Sequence, residues 1–153
     1  MNVIEELEII YTEIDDSYAS KEFEAHSKGY NIKENEFQNI RSINDHSYFL
    51  IAFTRLEDRI KTVTQNLIDS KLQNLNSWSY IRVWRIIKNR ESRDRLSFLE
   101  YVELLTEKGQ SDYNLIRDYY NDRNIVAHGN SLRSIDMATV FQDFKRLYND
   151  LSF

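Results

Sequence analysis

The chain has 153 residues, a net charge of −5, and a composition of 41% hydrophobic and 29% charged residues. That is enough chain for one ordinary core and too apolar for a disordered segment, and its acidity argues against a protein that coats nucleic acid indiscriminately. With no cysteine, neither a disulfide framework nor a thiolate zinc site is expected; with no proline and three glycines, helix is the default reading.

The elements follow in chain order. Asn2 and Glu5 have the spacing of a helix cap and its reciprocal partner, and Val3, Leu7, Tyr11, Ile14 and Tyr18 make a helical stripe behind them. The polar continuation ASKEFEAHSKG predicts fraying or a separate short helix, followed by a loop over Gly29 to Glu34. Phe49, Phe53, Leu56, Ile60, Val63 and Leu67 then form the strongest periodic seam, on a helix capped by Asn44 or Ser47 and running to about Leu75. Ser77 or Ser79 caps a third helix with Ile81, Trp84 and Ile87 inward. After the interruption NRESRD, a fourth segment from Leu96 to Lys108 carries Leu99, Val102 and Leu105. Ser111 opens a fifth helix, with Leu115, Tyr119 and either Ile125 or Val126 inward, that ends near Gly129. Ser134 opens the last, with Met137, Val140, Phe144, Leu147 and Leu151 inward. The expectation is one all-α domain over residues 1–153, a compact bundle of four main helices plus shorter ones. The acidic N-terminus lacks a signal peptide's apolar block, and no run approaches the roughly 18 apolar residues of a membrane span, so a cytoplasmic protein with no membrane partner is expected.

The catalytic inventory is short: His26, His46 and His128. None has a glutamate three residues before it, and no HExxH, P-loop or GxSxG occurs, so no metal site and no cofactor are expected. Two stretches pair an arginine with a histidine five positions on: Arg41 with His46, and Arg123 with His128. The second reads RNIVAHG. Asn124 follows the arginine, Ile125, Val126 and Ala127 form an apolar anchor, and Gly129 follows the histidine. The first has a polar interior and no glycine, and reads as coincidence.

In RNxxAHG, and in its place on the penultimate helix, the chain resembles the HEPN superfamily, helical domains with an R-x(4–6)-H signature, many of which are ribonucleases. The resemblance implies a metal-independent endoribonuclease with Arg123, Asn124 and His128 as its catalytic residues. It also implies a homodimer that joins two such sets in one cleft, and a role as a toxin or antiviral effector with an antitoxin or regulatory protein as a further partner. Asn130 stands where the family's best-known antitoxin-regulated branch has a tyrosine. The alternative is a non-catalytic HEPN-like module that binds a partner protein or nucleotide.

The residue types suit the chemistry. Cleavage through the ribose 2′-OH needs a base, an acid and a cation on the charged phosphorane. Histidine transfers protons near neutral pH, and arginine's planar fork holds phosphate in two hydrogen bonds. In a regular helix Arg123 and His128 would lie roughly 140° apart, so convergence requires the arginine to wrap round or the helix to end at the histidine. Residues 82–95 hold six cations against two carboxylates, a balance of +4 that leaves −9 elsewhere. Arg82, Arg85 and Lys88 in that stretch are candidate RNA contacts, as is Tyr120, one turn before Arg123. Their ordinary reading is a solvated helix face and a packing ring.

Overall fold

The computed structural model describes residues 1–74, 77–130 and 134–151. They form six helices: α1 (Val3–Ser27), α2 (Asn31–Asn74), α3 (Trp78–Glu91), α4 (Phe98–Leu105), α5 (Ser111–Ala127) and α6 (Met137–Asp150), and among them there is no strand. The all-α class expected from the breaker-poor sequence is what the chain adopts. The chain divides into two units, residues 1–55 with 121–146, and residues 56–120 with 147–153.

In the first unit, α1 starts as its spacing predicts. Asn2 Oδ1 accepts from the backbone of Ile4 and Glu5, and the Glu5 carboxylate accepts from the Asn2 N–H at 2.8 Å. The stripe from Val3 to Tyr18 is half-buried, while Ile4 beside it is fully buried. Two expectations fail next. The polar stretch after Tyr18 neither frays nor separates, because it packs along α2. Ala25 is buried, Tyr18 meets Phe37, and Glu22 binds Arg41 and Gln38. The connection is also shorter than Gly29 to Glu34, since α2 begins at Asn31. Gly29, at φ +69°, turns the chain, and the N–H of Tyr30 reaches back to Ala25 O at 2.9 Å. Asn44 and Ser47 are therefore interior to α2 and cap nothing. An aromatic cluster fills this core: Phe144 lies 6.3 Å from Phe49 and 6.0 Å from Phe53, ring centre to ring centre, and Tyr11 lies 5.5 Å from Phe141.

In the second unit the α2 seam continues through Leu56, Ile60 and Val63, all buried. Leu67 is only half-buried; Thr64 and Ile68 take the interior positions, with Thr64 Oγ1 3.1 Å from Tyr101 O. The expected helix end near Leu75 lies outside the described residues. In α3, Ile81, Trp84 and Ile87 are half-buried, and Ser77 occupies the cap position. The NRESRD break is a reversal at Asp94, whose φ is +50°, a conformation aspartate tolerates better than most residues. A capping box of Ser97 and Glu100, missed in the sequence, starts α4. Its buried side chains are Phe98, Tyr101 and Val102, so Leu99 and Leu105 are flanking rather than central.

Helices α5 and α6 supply residues to both units. On α5 the buried residues are Tyr113, Ile116 and Val126, while Ile125 is 41% exposed. At the start of α6 the cap is Asp136, not Ser134: its carboxylate accepts from the Thr139 N–H at 3.2 Å and from the Thr139 hydroxyl at 2.7 Å. The expected inward set of Met137, Val140, Phe144, Leu147 and Leu151 is buried, joined by Phe141.

Candidate functional site

Arg123, Asn124 and His128 lie at the end of α5, in the first unit. Buried Val126 anchors this last turn. The helix proper stops at Ala127, yet the His128 N–H still donates to Asn124 O at 3.1 Å, so His128 keeps helical register. Gly129, at φ +80°, then reverses the chain; its N–H donates to Val126 O at 3.0 Å and the Asn130 N–H to Ile125 O at 3.1 Å. This paired closure with a left-handed glycine makes His128 the last residue before the reversal, with its ring exposed to solvent.

Four residues separate Asn124 from His128, about 40° of rotation and 6 Å of rise, so the two share a face. Arg123 is on the adjacent face, but its Nη1 donates to Asn124 Oδ1 at 3.1 Å. The guanidinium thus leans toward the face carrying Asn124 and His128. Of the two routes to convergence, the backbone shows the second: the helix ends at Ala127, immediately before His128, while the guanidinium is tied to Asn124. Arg123 and Asn124 are half-buried, which limits their freedom more than that of His128.

Arg41 and His46, with the same spacing, are arranged differently. Arg41 Nε and Nη2 donate to the two carboxylate oxygens of Asp15 at 2.7 and 2.9 Å, and its Nη1 to Glu22 at 2.8 Å. Its fork is occupied by two carboxylates and is not open to phosphate. The hydrogen bond from Arg41 holds the Glu22 carboxyl below its usual range. His46 Nδ1 lies 2.6 Å from Ser42 O; since a carbonyl only accepts, that nitrogen carries the proton. Close by, the Tyr11 hydroxyl donates to Asp45 Oδ1 at 2.7 Å. Burial pushes the carboxyl of Asp45 up, and burial with the Asp45 hydrogen bond pushes the Tyr11 phenol up. Glu22, Arg41, Asp45 and His46 border a hollow of about 330 Å³. A second groove, about 260 Å³, is walled by His46 and Leu50 of α2 on one side and by Gly129 and Asn130 on the other. No local pattern in either stretch indicates that the two meet.

The basic stretch separates into two kinds of cation, both in the second unit. Lys88 is bound by Asp69 at 3.0 Å and by Glu91 at 3.1 Å, and Arg90 by Glu100. Glu91 is buried and also accepts from Gln65 at 2.9 Å, so Lys88 neutralises an interior carboxylate. Arg82 and Arg85 are exposed and form no ion pair among the described residues. The Tyr120 ring packs 4.9 Å from that of Phe98. Among the described residues no cluster of three His, Asp or Glu side chains could hold a metal ion, and no helix is long and apolar enough to cross a membrane. No protein-family model, curated protein or solved structure matches the chain.

Proposed function

We propose that the protein is a metal-independent endoribonuclease of HEPN type, with Arg123, Asn124 and His128 as its catalytic residues. The observation that carries this reading is the hydrogen bond from Arg123 to Asn124, one helical turn before an exposed His128 in the same register. It gives a phosphate-binding cation, a polar positioning group and a proton-transfer group at one helix end. In the reaction, Arg123 holds the scissile phosphate and takes up the charge of the phosphorane. His128 moves a proton, either from the 2′-OH or to the 5′ oxygen as the P–O bond breaks. One set supplies one proton-transfer group where the reaction needs two, so the active form is a two-fold homodimer that pairs two sets. The biological role that follows is a toxin or antiviral effector in the cytoplasm, restrained by an antitoxin or other regulatory protein.

The test is product chemistry. With EDTA present, the protein should cut single-stranded RNA, leave 2′,3′-cyclic phosphate ends, and spare DNA, which lacks the nucleophile. Cleavage of DNA, or RNA products without a cyclic phosphate, would contradict the mechanism.

A further inference from the structure

The outward face of α3 combines features a protein does not normally leave in water. Trp78 and Tyr80 are each 64% exposed, Ile86 55% and Val83 50%. Arg82 and Arg85 stand exposed among them, and the Arg85 guanidinium lies 5.6 Å from the centre of the Trp78 ring. At helical spacing, Trp78, Arg82 and Ile86 form one line, each four residues from the next and about 40° apart. The other cations of this helix that carry partners, Lys88 and Arg90, are neutralised by carboxylates.

The charge of this face selects an anionic occupant, since it is cationic on a protein whose net charge is −5. An anionic bilayer and a single-stranded nucleic acid both qualify, and the order of the side chains separates them. A helix lying in a membrane keeps its charges on the flanks of a continuous apolar arc. Here Arg82 occupies the middle of the apolar line, where insertion would drive a guanidinium toward the acyl chains. One exposed ring, Trp78, with Arg82 a turn further on and the Arg85 guanidinium 5.6 Å from its centre, fits a strand that presents a base between phosphates.

We infer that α3 is a docking surface for single-stranded RNA: a base stacks on Trp78, and Arg82 and Arg85 hold the flanking phosphates. The inference rests on the ribonuclease reading for the identity of the strand and deepens it by naming where substrate is held outside the Arg123–His128 region.

The chain has two tryptophans, so tryptophan emission reports the surface directly. The measurement uses full-length His128→Ala protein carrying Trp84→Phe, titrated with a 12-nucleotide single-stranded RNA. Stacking should quench Trp78. Arg82→Ala with Arg85→Ala should weaken binding about tenfold or more. Losing two phosphate contacts should also flatten the slope of log affinity against log salt by about 1.4. Two results would overturn the proposal: no quenching, or quenching that the double arginine substitution leaves unchanged. A blue shift with anionic vesicles and no response to RNA would overturn it in favour of a membrane surface. The two readings fail separately. RNA binding without cleavage by the unsubstituted protein removes the nuclease and leaves the docking surface standing; cleavage without quenching does the reverse.

Discussion

Arg123 Nη1 donates to Oδ1 of Asn124, its neighbour in sequence, at 3.1 Å. The bond draws the guanidinium toward the face on which His128 stands. Asn124→Ala releases it and should lower kcat/KM about 10- to 100-fold, the usual consequence of a misplaced phosphate clamp. Asn124→Asp should do more damage, because a carboxylate there would pair with Arg123 and repel phosphate. Steady-state cleavage of a fluorogenic RNA compares the two; an Asp variant as active as the native protein would show that Arg123 does not hold substrate.

Gly129 closes α5 at φ +80°, and a Cβ built there meets nothing within 4 Å. The cost of Gly129→Ala is therefore backbone strain without a clash, about 1 kcal/mol. Urea denaturation should show that loss, with Gly129→Asn intermediate, since asparagine tolerates the left-handed region better. Both variants should cut RNA more slowly, because the reversal sets where His128 stands. Full activity in Gly129→Ala would mean that the reversal does not position the histidine.

Arg41 bridges Asp15 and Glu22. Removing it leaves two part-buried carboxylates without their cation, so Arg41→Ala should lower stability by about 1–3 kcal/mol. The pH dependence has a definite sign. Arg41 holds the Glu22 carboxyl below its ordinary 4.5, so this contribution is complete above pH 4.5 and is lost as pH falls through the lowered value. The gap between native and Arg41→Ala stability should thus be widest near neutral pH and narrow below pH 4.5. RNA cleavage should survive the substitution in whatever fraction remains folded. Loss of cleavage at full folding would assign Arg41 a role in the site.

Phe144 is fully buried and its ring centre lies 6.0 Å from that of Phe53. Phe144→Ala should cost about 3–5 kcal/mol. Ser97, which accepts from the Glu100 N–H at 3.4 Å, is an exposed cap, and Ser97→Ala should cost about 1 kcal/mol. Chemical denaturation orders the two; equal effects would mean that the aromatic cluster is not the core of its unit.

What was legible in the sequence had a local cause. Helix followed from the lack of breakers, and the Asn2–Glu5 cap and the seam from Phe49 to Val63 from spacing alone. Gly29 and Gly129 marked left-handed helix ends because the backbone there favours a residue without a side chain. What was hidden depends on distant partners. ASKEFEAHSKG looked too polar for a long helix until Glu22 and Ala25 were seen against α2. Arg41 and His46 share the spacing of Arg123 and His128 and were separable only by their polar interior and missing glycine; the partner that occupies the Arg41 fork, Asp15, lies 26 residues away and is invisible to a local pattern. Lys88 looked like Arg82 for the same reason, its partner Asp69 lying on another helix. At the candidate site, spacing offered two Arg–His pairs and the RNxxAHG context selected Arg123 and His128; the bond from Arg123 to Asn124, which ties the guanidinium to the face of His128, depends on side-chain geometry that no pattern carries.

The most direct measurement compares RNA cleavage by native, His128→Ala and His46→Ala proteins of equal folded content, with EDTA present. Both histidines follow an arginine by five positions, so the comparison isolates the site from the pattern. The account predicts a loss of at least about 100-fold for His128→Ala, the usual contribution of a proton-transfer group, and near-native cleavage for His46→Ala. Undiminished cleavage by His128→Ala would contradict it.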